Sequence, residues 1–264
     1  VHFQFFHLGI QNILALLCAK LFRFNIVVTI HDIDSFAKKE SYLLQQFGYY
    51  LPDQIIVHNE SSKKALLKKS DLNNIHVIPH GNYRPFVSDL PERNDSDGVL
   101  RLLFFGQIKD VKGLEILLQS MRQVIKENEN IHLTIAGKPW GIENYDYPAL
   151  IQKFNLKDFV TTRFEYIPNE EVESYFSTCD VVVLPYKRIY QSGVLLLSMS
   201  YGRVALTSDL AAFREIIEDE ISGFLFESEN IEDLTRVILK IEKMSSLSKV
   251  RYNANHLLKN KFDW

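Results

Sequence analysis

The chain has 264 residues, of which 46% are hydrophobic, 24% charged and 12% aromatic, and a formal net charge of −3. This is an ordinary globular composition, long enough for one large domain or two smaller ones, and its mild acidity argues against a dedicated nucleic-acid binder. Two cysteines, Cys18 and Cys179, lie far apart in no metal-type spacing and read as small buried apolar residues in a reducing cytoplasm.

The chain opens Val1-His-Phe-Gln-Phe-Phe6, with neither a methionine nor a signal-peptide pattern. The apolar run from Leu8 to Phe24 is broken by Gln11, Asn12, Lys20 and Arg23. It is too short and too polar to span a bilayer and reads as a buried amphipathic helix. Two strand-like runs follow, Ile26 to Ile30 ending in His31-Asp32, and Gln54 to Val57 ending in His58-Asn59. Ser61 to Ser70 reads as a helix carrying Lys63, Lys64, Lys68 and Lys69, either a solvated face or a patch for anionic membrane surfaces. A short strand over Ile75 to Ile78 leads into the turn cluster Pro79-His80-Gly81-Asn82. Residues 82–98 are polar and contain prolines, which marks a linker.

A second series begins at Leu100. Strands are expected over Leu102 to Phe105, His132 to Ile135, Val160 to Tyr166, Asp180 to Leu184, Val204 to Thr207 and Phe224 to Phe226. Helices are expected over Leu114 to Glu127, 170–178 with Asn169 as N-cap, 211–218 and 230–244. Short apolar strands alternating with helices predict a parallel, doubly wound α/β sheet, whose ligands bind at the carboxyl ends of the strands. His31, Gly106, Gly137, Ile167 and the loop from Tyr186 to Gly193 all fall at such ends. In that loop Ser192-Gly193 opens a helix directly after a strand and offers free backbone N–H groups to an anion. Lys187 and Arg188 add positive charge, so the site suits a phosphorylated ligand. The first block supplies only about three strands, so the chain is expected to lack an N-terminal portion; its end at Phe262-Asp-Trp264 also reads as cut.

Five pieces in order resemble the group 1, or family 4, glycosyltransferases: Ile75-His-Val-Ile-Pro-His-Gly81; Phe104-Phe-Gly106-Gln107-Ile-Lys-Asp-Val-Lys112-Gly113; Ile135-Ala-Gly137; Cys179-Asp-Val-Val-Val-Leu-Pro185; and Ser192-Gly-Val-Leu with Tyr201-Gly202-Arg-Val-Ala-Leu-Thr-Ser-Asp209. The resemblance implies a GT-B fold: two Rossmann-like domains with parallel sheets, a partial acceptor-side domain over 1–81, the linker 82–98, and a nucleotide-sugar domain over 99–264. It implies transfer of a sugar from a UDP-, GDP- or other nucleoside-diphosphate sugar to a glycan or lipid-linked acceptor, as in bacterial surface-polysaccharide assembly. The diphosphate would lie against Gly106, Gln107, Lys109, Lys112, Ser192, Gly193 and Val194. Tyr190 and Gln191 would meet the donor sugar, Lys138 and the backbone at Ile167 the nucleobase, and His31 with Asp32 the reacting centre. His58 and His80 are read as structural.

The departures are specific. Gln107 stands where the family usually has arginine, and the family's Glu-x7-Glu pair maps onto Ile189 and Leu197. A leucine cannot hold ribose hydroxyls, which motivates the alternative of a non-catalytic GT-B subunit that binds a partner or glycan. Apart from Asp32-Ile-Asp34 no Asp-x-Asp motif is evident, so no metal and no cofactor is expected. The expected location is the cytoplasm, with peripheral contact to the inner face of an anionic plasma membrane.

Overall fold

The computed structural model describes residues 1–33, 42–88, 98–140 and 145–263. They form two compact units, one of Val1–His80 with Ile189–Gln191, the other of Gly81–Arg188 with Ser192–Trp264.

The first unit holds four parallel strands, β1 (His2–Phe5), β2 (Val27–Ile30), β3 (Gln54–Val57) and β4 (Ile75–Val77), in the order β1-β2-β3-β4. The sequence reading had three; His2–Phe5 was missed because a strand with the burial pattern exposed, intermediate, exposed, intermediate lacks an apolar run. The helices are α1 (Ile10–Leu21), α2 (Tyr42–Tyr49) and α3 (Glu60–Leu67). α1 buries Ile13, Leu16 and Ala19 but exposes Leu14 and Leu21, so it is half-exposed rather than buried. Cys18 likewise faces solvent, while Cys179 is buried. α3 stops at Leu67, so Lys68 caps it and Lys69 lies beyond its end. The core gathers Leu16, Ile26, Val28, Ile30, Ile55, Val57 and Leu66.

The second unit holds β5 (Leu100–Phe105), β6 (Ile131–Ala136), β7 (Val160–Arg163), β8 (Val181–Leu184), β9 (Val204–Ser208) and β10 (Phe224–Phe226). Its helices are α4 (Leu114–Glu127), α5 (Tyr147–Lys153), α6 (Asn169–Thr178), α7 (Gly193–Ser200), α8 (Ala211–Arg214), α9 (Ile231–Glu242) and α10 (Ser248–Phe262). All sheet pairings are parallel, in the order β10-β9-β8-β5-β6-β7. From β5 the chain winds outward through β6 and β7, then returns to the other side of β5 with β8 and winds outward again. The order therefore reverses between β5 and β8, where an open α/β sheet leaves a crevice at its carboxyl edge.

α4 buries Leu114, Leu117, Leu118, Met121 and Val124 at helical spacing, and joins α9 through a buried Ser120–Thr235 hydroxyl pair at 3.0 Å. α6 begins one residue earlier than expected: Pro168 is the N-cap and Asn169 lies inside the helix. α8 ends at Arg214, four residues short of the expected 218. α5 and α10 were not anticipated; α10 mixes Lys, Arg, Asn and His with apolar residues and buries only Val250, Ala254, Leu258 and Phe262. The expected linker is not uniform. Asn82 N–H donates to Phe262 O (3.0 Å) and Tyr83 N–H to Ser200 Oγ (3.0 Å), so residues 82–88 belong to the second unit. Residues 89–97 lie outside the described residues.

Candidate active site

Two loops flank the crevice between β5 and β8: Gly106 to Gly113 after β5, and Pro185 to Ser192 after β8. They are tied together. Lys187 N–H donates to Val111 O at 2.9 Å. Gly113 has φ +65, and a Cβ there would stand 2.0 Å from Pro185 O; only glycine permits that approach without moving the backbone. Gly137, after β6, is bound by the same logic, since its Cβ would stand 1.8 Å from Gly106 O. The tail of the β6 loop also pairs with the β5 loop, through Ile108 N–H to Lys138 O (3.0 Å) and Trp140 N–H to Ile108 O (2.9 Å).

α7 points its amino end at this crevice. A Cβ on Gly106 would lie 3.4 Å from Val194 Cγ2, which places the end of β5 against the first turn of α7. Ser192 is the N-cap, its Oγ accepting from Leu195 N–H at 3.2 Å. That bond satisfies the third helical amide and leaves Gly193 and Val194 as first-turn N–H groups with no intrahelical acceptor. The Tyr83 phenol closes in so tightly that a Cβ on Gly193 would be 2.9 Å from its Oη.

The cations sort themselves by partner. Lys112 Nζ donates to Tyr186 Oη at 2.7 Å and lies 4.3 Å from the centroid of that ring, while Tyr186 is 1% exposed. A phenol neutralises nothing, and among the described residues no carboxylate pairs with Lys112. Lys187 differs: its Nζ meets Glu115 at 2.6 Å and Asp110 at 3.2 Å. Burial acts to lower the Lys187 pKa, and those carboxylates outweigh it, so the ammonium stays charged and already paired. Its expected contribution of free positive charge is corrected accordingly.

The other expected donor residues differ in exposure and in the unit that holds them. Gln107 is exposed, Lys109 half-buried, Lys138 exposed and the Ile167 side chain buried, leaving only its backbone to a ligand. Tyr190 and Gln191 belong to the first unit, where Tyr190 packs on the core and its carbonyl accepts from Asn59 Nδ2 at 2.5 Å. Asn59 also caps α3, its Oδ1 accepting from Ser62 N–H. Leu197 is half-buried on α7. Asp34 lies outside the described residues.

In the first unit His31, His58 and His80 follow β2, β3 and β4, and parallel pairing brings them to one edge. His31 Nδ1 and His58 Nε2 are 3.1 Å apart, with ring centroids at 4.8 Å. The His80 ring lies 5.4 Å from that of His58. His31 is pulled down to about 4, first by burial and then by the charges His58 and His80 would carry. It is thus a neutral imidazole at ordinary pH. Asp32 adjoins it, with its N–H on Phe6 O at 2.6 Å. The sequence points to His31 as the reacting histidine; His58, directly after β3, and His80, three residues after β4, join it because those strands pair side by side. Among the described residues no group of three or more His, Cys, Asp or Glu side chains is arranged to hold a metal ion.

The family model for glycosyl transferases group 1 matches residues 100–243, more than half of the chain. The chain belongs to that family. It is 32% identical over 156 residues to a GDP-mannose:glycolipid 4-beta-D-mannosyltransferase of Xanthomonas campestris pv. campestris, covering 58% of this chain and 43% of that protein. It is 22% identical over 253 residues to the lipopolysaccharide 1,2-N-acetylglucosaminetransferase of Salmonella typhimurium, covering 86% and 64%. The chain therefore spans less than two thirds of either relative. Among solved structures, HepE of Anabaena in complex with UDP superposes with a TM-score of 0.82 at 17% identity, over 95% of this chain and 72% of that one. The chain has the GT-B fold, with two parallel α/β sheets. None of its described helices is long and apolar enough to cross a membrane.

Proposed function

We propose that this group 1 glycosyltransferase moves a sugar from a nucleoside-diphosphate sugar, with UDP or GDP as carrier, to a glycan or lipid-linked acceptor in bacterial surface-polysaccharide assembly. What supports the reading is that the first-turn amides of Gly193 and Val194 stand beside Gly106, and that Lys112, on the loop after β5, meets Tyr186 on the loop after β8, the two strands at the switch point of a parallel sheet. When the bond from the sugar to the diphosphate breaks, its electron pair goes to the phosphate oxygen, and charge of that sign is what these groups stabilise. Lys112 exchanges the Tyr186 phenol for a phosphate oxygen. Ser192, Gln107 and Lys109 complete the diphosphate contacts, Tyr190 and Gln191 meet the sugar, and Lys138 with the backbone at Ile167 meets the base. His31 and Asp32 contribute to the transfer step. No metal or cofactor is required on this reading. The names of the two relatives support a lipid-linked acceptor, and with it a cytoplasmic protein that touches the inner face of the plasma membrane.

Calorimetry of this chain with UDP and with GDP tests the reading. One of the two should bind, with affinity unchanged by EDTA. Lys112→Ala should weaken it about 10- to 100-fold, the size of one hydrogen bond to a charged group. Unchanged affinity would remove Lys112 from the site. Absence of binding by the unaltered chain would instead favour a non-catalytic GT-B subunit, the reading that Leu197 in place of a ribose-binding carboxylate supports.

A further inference from the structure

The three histidines at the carboxyl ends of β2, β3 and β4 are not interchangeable. His58 Nδ1 lies 3.0 Å from Ile78 O. A carbonyl only accepts, so Nδ1 of His58 carries the proton. Neutral His58 then has its lone pair on Nε2, and the group 3.1 Å away, His31 Nδ1, must be the donor in that contact. A neutral imidazole holds one N–H, so His31 Nε2 is left unprotonated. Direction runs one way along the chain of bonds, from His31 through His58 to the Ile78 carbonyl. We propose that His58 is a positioning residue that holds His31 in the Nδ1–H tautomer, so that the Nε2 lone pair of His31 is offered to the transferred sugar, to a hydroxyl or to the positive charge developing on its ring.

Several observations point the same way. The carbonyl that ends the chain of bonds belongs to Ile78, directly after β4, whose N–H donates to Val57 O at 2.9 Å, so the direction is anchored in the sheet. The groups facing His31 are Phe6 at 5.6 Å between ring centroids, His58 at 4.8 Å and His80 at 6.5 Å, and Asp32 follows it in the chain. Burial and the two histidines oppose a proton on His31. An uncharged ring with a fixed lone pair is suited to accept from a hydroxyl, and unlike an imidazolium it does not repel a sugar that turns cationic. Histidine tautomers are commonly fixed by the partner of the second nitrogen.

The chemical meaning rests on the glycosyl-transfer reading, whereas the tautomer rests on the first unit alone, and the two are tested apart. Nitrogen-15 spectra of the histidine side chains of this chain at pH 7 should show His31 protonated at Nδ1 and bare at Nε2. His58→Gln, whose amide both donates and accepts, should keep that form; His58→Phe should lose it. In turnover of GDP-mannose or UDP-glucose, whichever carrier binds, His58→Phe should lower kcat about ten-fold with little change in KM, and His58→Gln should recover most of it. A proton on Nε2 of His31 in the unaltered chain overturns the proposal, as does a His58→Phe protein with the same tautomer or unchanged kcat. Because the first of these needs no variant, a misfolded mutant does not rescue the idea. Loss of UDP and GDP binding in calorimetry would sink the donor reading and leave the tautomer standing.

Discussion

At the scale of single residues, the two charged-group assignments separate by what each side chain can still bind. Lys187 and Lys112 are near each other in the two crevice loops, yet one faces carboxylates and the other a phenol. Only the second can give its charge to a ligand without first breaking an ion pair. His31 supplies a pH signature. Its proton affinity is lowered on folding, so between about pH 6.5 and about 4 the unfolded chain holds a proton there that the folded one does not. Stability from this site is complete above that window and falls as pH drops through it; burial lowers His58 too, with the same sign. The melting temperature should therefore decline from pH 7 to pH 4.5, and decline less in His31→Asn. A curve of equal slope in both proteins would deny His31 that role. Gly137 makes the strictest steric demand, because a Cβ would enter the space of Gly106 O. Gly137→Ala should cost on the order of 1–3 kcal/mol from strained backbone alone, read as a lower denaturant midpoint, and should weaken nucleotide binding by shifting Gly106.

At the scale of elements, α10 shows most clearly what the chain's letters withhold. It packs on α7 and β9, and its last residues tie back to Asn82. Part of the fastening is Arg251 at 3.6 Å from Asp180, a carboxylate 4% exposed that also accepts from Arg101 N–H at 2.9 Å. Asp180→Ala should destabilise the protein by about 3–5 kcal/mol, the range for breaking a buried pair. A loss below about 1 kcal/mol in chemical denaturation would show the contact to be incidental. Val250, Ala254, Leu258 and Phe262 do recur at the four-residue spacing of a helix face, but the many Lys, Arg, Asn and His residues between them mask that stripe. The β-branched strands of the second unit were legible because both faces of a parallel sheet are covered and their apolar runs are continuous. Leu114 to Glu127 was legible from its 3.6-residue period. β1 was not, having no such run, and neither was the conversion of Asn82 to Val87 from linker into packed chain. In the candidate site, glycines, the helix cap and Lys112 were readable from order and type. The engagement of Lys187, the role of Asn59 and the grouping of His58 and His80 with His31 were not, because each depends on which strand lies beside which.

At the scale of the whole molecule, each unit has its own apolar core, one built on β1 to β4 and the other on β5 to β10. The proposed diphosphate contacts lie in the larger unit, on loops that leave adjacent strands of its sheet. The bond from Lys187 N–H to Val111 O and the seating of Pro185 O over Gly113 join those loops before any nucleotide arrives. The consequence is kinetic. With the loops already joined, only the Lys112 side chain has to turn from the Tyr186 phenol on encounter, so capture should be governed by diffusion and orientation, and differences among variants should appear as residence time. Stopped-flow mixing of Lys112→Ala with the bound nucleotide should show an association rate within about three-fold of the unaltered chain and a faster release that accounts for the lost affinity; slowed association would mean the loops close around the nucleotide instead of waiting for it.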